Sequence, residues 1–259
     1  MSGDGSFRVT WWGHSTVTLE DGGVRLLTDP LLTNRVGHLH RRRGPTPAAD
    51  ARNADAVLIS HLHADHLHIP SLRLLPESTM LVVPQGTRAM LAAAHHDDLA
   101  DRCVEMVAGK EIEAAGAGVR AVPAKHSGRR HPWSSHRAPA LGYVVTGPRH
   151  VAWFAGDTDL FEGMADLGRL DLALLPIGGW GPSLGPGHLD PERAAEAVRR
   201  TTPGVVIPIH YGTFWPVGLN RVRPQLFLGP EREFERRTKA VAPDIAVHVL
   251  DPGTAVTLD

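Results

Sequence analysis

The chain has a single cysteine, Cys103, in 259 residues. No intramolecular disulfide can form, which fits a reducing compartment and leaves the fold to rest on its core. Charge of one sign is also lacking, because 27 Lys and Arg stand against 28 Asp and Glu. That balance argues against a polyanion-coating protein and predicts no nucleic-acid partner. No apolar run approaches the roughly 20 residues needed to cross a bilayer. Met1 to Ser6 is small and polar, not a charged-then-apolar signal. A cytoplasmic protein without stable membrane insertion is therefore expected. Linkers, low-complexity tracts and short-period repeats are missing too, so residues 1–259 read as one domain. With 42% apolar residues, a chain this long buries a substantial core unaided.

What is present is a succession of short apolar runs punctuated by turns. Phe7 to Trp12, Ser15 to Glu20 and Val24 to Thr28 read as strands, with Asp21-Gly22-Gly23 as a hairpin turn. Leu31 to Asp50 reads as a long surface loop, a form that is often functional. Further strands are predicted over Ala56 to Ser60, Met80 to Val83, Val104 to Val107, Val119 to Val122, Leu141 to Thr146 and Val151 to Phe154. Others fall over Leu172 to Ile177, Val205 to Ile209, Ala246 to Leu250 and Thr254 to Leu258. Helices are predicted over Ser71 to Leu75, Thr87 to Ala94, Leu160 to Leu167, from Asp190-Pro191-Glu192 onward, and over Glu231 to Ala240. Asp190 is the natural cap of its helix, with Pro191 at the first helical position. Strands that come in runs and also alternate with helices favour layered sheets flanked by helices.

The 16 histidines are the unusual count, and their placement matters more than their number. Residues 61–66 read His-Leu-His-Ala-Asp-His directly after an apolar strand. In extended backbone His61 and His63 point the same way, while Asp65 and His66 lie past the bend. Imidazole and carboxylate suit zinc and other first-row divalent metals. An exposed polar loop would be the plain reading for one histidine; four potential ligands in six residues favour metal. His126, Asp157 and His210 each stand just beyond another apolar strand. Singly each reads as a surface residue, but together they are what one sheet rim would supply. Seven ligands exceed one tetrahedral ion and suit two ions with a bridging carboxylate.

This segment resembles the His-x-His-x-Asp-His motif of the metallo-β-lactamase superfamily. Within it the chain looks most similar to ascorbate-phosphate lactonases and N-acylphosphatidylethanolamine-hydrolysing phospholipases D. The matching pieces are Trp12-Gly13-His14-Ser15, Leu27 to Pro30, Asp55 to His66, Pro123 to His126, Phe154 to Thr158, Leu175 to Gly178, His188 to Ala194 and Ile209 to Phe214. The resemblance implies an α+β fold, a four-layer αββα sandwich with metals at one edge. It implies His61, His63 and His126 on one ion, Asp65, His66 and His210 on the other, and Asp157 bridging. Zinc is the default metal, with manganese or iron also suited to such ligands. The longer N-terminal region of the phospholipases has no counterpart here, which speaks against a membrane-lipid substrate. Superfamily resemblance is compatible with a homo-oligomer.

The chemistry so implied is attack by a hydroxide held between two divalent ions on a phosphodiester, lactone or ester of a small anionic molecule. Asp65 is read as catalytic, orienting the nucleophile as well as binding metal. His188, before a helix, is read as approaching the substrate. His14 and Asp29 read equally as orienting partners of the ligands and as structural residues. Lys125, Arg129 and Arg130 are anion-binding candidates if they converge, and a solvated basic loop if they do not. Arg41, Arg42 and Arg43 read as solvated, Cys103 as inert, and His38, His40, His68, His95 and His96 as surface residues. Among the tryptophans, Trp133, Trp180 and Trp215 are pocket candidates. Rival readings are a redox iron protein of the same fold and a nuclease. A glutamate at position 63 and a flavin domain would mark the first, and a clamping domain the second; the sequence shows none of these.

Overall fold

The computed structural model describes residues 6–258, apart from 182, 220, 221 and 223. Most of the opening stretch read for a signal segment therefore lies outside the described residues. Strands β1 (Phe7–Gly13), β2 (Thr16–Asp21) and β3 (Val24–Thr28) form an antiparallel meander. A two-strand hairpin follows, β4 (Arg35–Val36) and β5 (Leu39–Arg41). Then β6 (Ala56–Leu58), β7 (Met80–Pro84) and β8 (Cys103–Met106) run parallel, connected through α1 (Ile69–Leu72), α2 (Thr87–Ala93) and α3 (Asp97–Ala100). A second meander comprises β9 (Glu111–Ala114), β10 (Ala117–Pro123), β11 (Leu141–Thr146) and β12 (Val151–Phe154). Next come β13 (Leu172–Pro176), α4 (Pro191–Thr201) and β14 (Val205–Ile209), with β12, β13 and β14 parallel. The chain closes with β15 (Phe214–Pro216), α5 (Pro230–Val241), β16 (Ala246–Val247) and β17 (Thr254–Leu258).

The strands assemble into two seven-stranded sheets. Their orders are β17-β1-β2-β3-β6-β7-β8 and β16-β14-β13-β12-β11-β10-β9. Side-chain alternation explains the layers. In β6, Ala56 and Leu58 enter the core between the sheets, while Val57, and Ile59 just after the strand, face outward into a second core. Leu26 and Leu27 of β3, and Val82 and Leu81 of β7, divide the same way. The outer core is closed by Leu72 near α1, Met90 and Leu91 of α2 and Leu99 of α3. On the opposite side, Ala194, Ala197 and Val198 of α4 and Phe234 of α5 pack onto the second sheet. Helix, sheet, sheet and helix make the expected four-layer αββα sandwich. Asp190 caps α4 by accepting from the Arg193 amide at 2.8 Å, and Pro191 opens the helix. Among the described residues, no helix is long and apolar enough to cross a membrane.

Two expectations need correction. Leu31 to Asp50 is not a structureless loop: β4 and β5 join β15 in a small third sheet of order β15-β5-β4. Leu31, Val36, Leu39 and Phe214 bury one another there, a contact made with residues some 175 positions downstream. Leu160 to Leu167 is not helical beyond a 3-10 turn over Met164–Asp166. Leu167, which ends that turn, and Leu170 beyond it pack into the second sheet's core.

Topology gathers the chemistry. β3, β6, β12, β13 and β14 end at one edge of the sandwich, and β10 points the same way because two antiparallel steps separate it from β12. The two sheets meet closely at that edge. The Leu141 amide donates to the Ser60 carbonyl at 2.9 Å, and the Tyr143 hydroxyl donates to the Ile59 carbonyl at 2.8 Å. Gly156 lies at φ +61°, and a Cβ there would stand 2.6 Å from that of Ser60. Only glycine fits that crossing.

Candidate metal centre

Each ligand-type residue follows a strand end at the shared edge. His61, His63, Asp65 and His66 follow β6, His126 follows β10, Asp157 follows β12, and His210 follows β14. Sequence separation is therefore no obstacle to convergence. His61, His63 and His126 form one group whose ligand atoms lie within 4.8 Å of one another, and His14, Asp65, His66 and His210 form a second. Asp157 stands between them. Its Oδ2 is 3.3 Å from His66 Nε2 and 3.2 Å from His210 Nε2, and it also groups with His126 and His188. All the ligand candidates singled out in the sequence are thus brought together.

Outer partners fix which ring nitrogens face inward. Asp29, a carboxylate, can only accept, so His66 Nδ1 donates to its Oδ2 at 2.6 Å. The Ser60 hydroxyl donates to the same Asp29 oxygen and accepts from His61 Nδ1 at 2.9 Å. His126 Nδ1 donates to the Gly187 carbonyl at 2.8 Å, and His210 Nδ1 to the Gly178 carbonyl at 3.0 Å. In the neutral ring every Nε2 of these four histidines then carries a lone pair directed into the cluster. His63 contributes Nδ1, which lies 2.8 Å from His61 Nε2 and 3.1 Å from His126 Nε2. His61 and His126 present lone pairs here, and His63 Nδ1 donates to one of them in one tautomer or, with its proton on Nε2, joins them as a third donor atom around a cation. Among the described residues, the buried Oδ1 of Asp157 has no hydrogen-bond partner. Orphaned carboxylate and inward lone pairs together fit divalent ions, and the all-His group with its mixed His/Asp neighbour suits two of them.

Protonation agrees with that reading. Burial lowers His61 well below the ordinary imidazole range, His63 to about 4 and His210 to about 3, so their lone pairs are free at neutral pH. His66 moves the other way: burial opposes its charge, but Asp157, Asp65 and Asp29 outweigh that and raise it well above its usual value. Asp65 and Asp157 are held well below the carboxylate range by surrounding imidazoles, despite burial. A cation in the cluster would replace the proton that His66 otherwise keeps.

The remaining site residues divide. His14 is buried, and its Nε2 lies 3.0 Å from Asp65 Oδ2. Asp29 holds His66 and, through Oδ1, accepts the Ser60 amide at 2.7 Å. His14, Asp29 and His210 have φ of 54°, 31° and 59°, a left-handed backbone uncommon outside glycine. Strain of this kind persists only where neighbours over-determine it. His188 is half-buried with Nε2 3.6 Å from Asp157 Oδ2, at the mouth of the cluster. The three basic residues do not converge. Lys125 is exposed and faces Asp159 at 4.0 Å. Arg129 leans toward the Pro132 carbonyl at 3.5 Å and borders a separate open cleft. Arg130 alone turns inward: Nη1 donates to the carbonyls of Leu62 and Leu67 at 2.6 and 2.8 Å, bracketing the ligand loop.

A cleft of about 610 Å³ opens over the cluster. Its floor includes His63, Asp65, Asp157 and His210, His188 stands at its mouth, and its walls include Val36, Leu39, Pro132, Trp180 and Leu184. Several sequence expectations change here. His38 is exposed, as expected, and its ring also lines the cleft 5.2 Å from Trp180. His68 is buried against Ser71, and burial lowers it to about 4. Arg41 is not solvated; it donates to the Trp12 and Leu31 carbonyls, and burial lowers it to about 10. Trp180 lines the cleft, whereas Trp215 is fully buried and Trp133 is 89% exposed. Cys103 is buried, and burial raises its thiol to about 12, as an inert residue requires. Ser60, Gly178 and Gly187 went unnoticed in the sequence, because a hydroxyl or carbonyl that orients a ligand has no pattern of its own.

Comparison with known proteins places this geometry. A β-lactamase superfamily domain model matches residues 24–211. A metal-dependent hydrolase of Caldivirga maquilingensis is 32% identical, over 96% of this chain and 97% of that protein. One from Methanopyrus kandleri is 33% identical, over 95% and 97%. The solved structure of a metallo hydrolase from Ignicoccus hospitalis shares the fold, with a TM-score of 0.73 at 24% identity over 98% of this chain and 99% of that one. The chain belongs to the metallo-β-lactamase superfamily.

Proposed function

We propose that the protein is a metal-dependent hydrolase of one domain. It would hold two divalent ions, zinc by default, and cleave a phosphodiester, lactone or ester bond of a small anionic substrate. The observation that carries this reading is the convergence of inward-facing imidazole lone pairs on Asp157, whose buried Oδ1 has no hydrogen-bond partner among the described residues. His61, His63 and His126 would hold one ion, Asp65, His66 and His210 the other, with Asp157 between. When bound, the ions would supply an activated water near neutral pH and steady the oxygens of the displaced group. The chain's own residues do the rest. Asp65, ionised and held by His14, orients the nucleophile. His188, at the mouth, is within reach of the leaving group and can pass it a proton. Apolar walls exclude bulk water from the reacting atoms.

The relatives named as metal-dependent hydrolases support the reaction class, and the resemblance to lactonases and phospholipases D supports the bond type. Cytoplasmic location belongs to the same proposal. The test is elemental analysis of purified protein combined with turnover of bis(p-nitrophenyl) phosphate and a set of lactones. Two metals per chain with activity on either class is the expected result. Full activity and unchanged metal content after replacing His61 and Asp65 together with Ala would refute it. An iron spectrum with oxygen-dependent turnover would instead favour the redox alternative.

A further inference from the structure

Arg130 holds the ligand loop with only part of its guanidinium. Its Nη1 donates to the Leu62 and Leu67 carbonyls at 2.6 and 2.8 Å, which uses both hydrogens of that nitrogen. Nε and Nη2 make no hydrogen bond or ion pair with any described residue, and Asp65 acts on the group through charge alone. Nε and Nη2 form the forked edge of an arginine. Elsewhere in this chain that edge of Arg199 grips Glu196 at 2.7 and 2.8 Å, and that of Arg236 grips Glu233 at 2.9 and 2.6 Å. In Arg130 the fork holds no carboxylate of the described chain.

Arg130 is half-buried and lines the metal cleft. Among the described residues lining that cleft it is the only lysine or arginine, and the only carboxylates are Asp65 and Asp157. Both carboxylates belong to the ligand cluster, so ions held there would take up their charge. The guanidinium then has no counterpart within the cleft. Anchoring through Nη1 also fixes the side chain beforehand, so an anion that binds the fork immobilises little that is not already held. The apolar walls formed by Val36, Leu39, Pro132 and Leu184 lower the local dielectric and strengthen such a contact.

We infer that Arg130 receives a second anionic group of the substrate, apart from the bond cleaved over the metal cluster. The inference rests on the hydrolase reading for the place of the scissile bond. It adds that the substrate is two-ended, with a carboxylate or phosphate whose paired oxygens fit the fork. Arg130 is thereby a specificity-determining residue that takes no part in bond breaking.

The test uses zinc-loaded full-length protein and calorimetry. Straight-chain dicarboxylates from malonate to adipate are compared with monocarboxylates of the same length, and phosphonocarboxylates form a parallel arm. One carboxylate occupies the metal cluster and the far group reports on Arg130. At the matching length the two-ended acid should bind about 10- to 100-fold tighter than its one-ended partner, as expected for a charged hydrogen-bonded pair. The arm with the larger ratio identifies the group as carboxylate or phosphate. Arg130→Lys keeps a charge and a donor for the two carbonyls but has no fork, and should cut the ratio at least roughly threefold. Arg130→Met removes fork and charge together and should bring the ratio near one; it reads the same quantity if the lysine variant does not fold. An arginine that only braces the loop would weaken both members of each pair alike and leave the ratio unchanged. A ratio near one at every length in the unaltered protein, or a ratio that survives both substitutions, overturns the proposal. The two readings fail separately. A large ratio without hydrolysis of any ester or phosphodiester would sink the hydrolase assignment and leave the anion site. Hydrolysis with a ratio near one would sink the anion site alone.

Discussion

The floor and the mouth of the metal cleft are built on different principles. On the floor, Asp29, Ser60, His61, His66 and His14 are fully or almost fully buried and linked by short hydrogen bonds, with strained backbone at His14 and Asp29. At the mouth His188 is half-buried, and outside the cleft Lys125 is exposed and Arg129 only loosely held. Buried polar groups must be satisfied at assembly, so the floor has one arrangement. The mouth is solvated and free to vary. Metal binding should therefore be insensitive to changes at the mouth and acutely sensitive to changes on the floor.

The most damaging change should be Asp157→Ala, which removes the carboxylate lying between both ligand groups. Metal content should fall from two ions to one or none, and turnover should drop well beyond hundredfold; retained stoichiometry by elemental analysis would contradict the shared-carboxylate arrangement. Asp29→Asn comes next. It touches no proposed metal, yet it orients both His66 and Ser60, and loss of such a partner typically costs 10–100-fold in metal affinity. Competition with a chromophoric chelator measures this directly.

A third probe is acid titration of the metal-free protein. His63 at about 4 and His210 at about 3 stay neutral in the fold while an unfolded chain protonates them near 6.5. The unfolded state then binds more protons, so stability falls as pH drops from 6.5 toward 4, by on the order of 3 kcal/mol for His63 alone. His66, raised instead, is protonated in both states throughout that window; its contribution is present below 6.5 and lost only as pH rises through its elevated value. Urea midpoints that do not move between pH 6.5 and 4.5 would contradict the burial argument.

Smaller effects sharpen the contrast between neighbours. Arg130→Met strips the Leu62 and Leu67 carbonyls of a buried donor and should cost about 1–3 kcal/mol in thermal stability. Arg129→Ala, one residue earlier, should lie within about 0.5 kcal/mol of the parent. Equal losses for the two would show that Arg130 is no clamp.

That pair also marks how far the sequence could be read. Strands over Val24–Thr28, Leu141–Thr146, Val151–Phe154, Val205–Ile209 and Thr254–Leu258 are legible to the residue, because an apolar run bounded by turn signals is a local property. The candidate ligands are legible for the same reason: each stands at the end of such a run. Nothing local distinguishes Arg129 from Arg130, since what separates them is the Leu62 and Leu67 carbonyls more than 60 residues upstream. The stretch from Leu31 to Asp50 carries too few apolar residues to declare a strand locally. Their partner, Phe214, lies in another part of the chain.

By itself the sequence determined the strand periods, the Asp190 cap of α4 and the ligand types at strand ends, all set by side-chain chemistry acting over a few neighbouring residues. Tertiary structure alone decided that these ends share one edge, which ring nitrogens face inward, and which basic side chain turns toward the ligand loop. Those outcomes depend on donors and acceptors that meet only after two sheets have packed, and no local pattern encodes a partner 30 to 200 positions away.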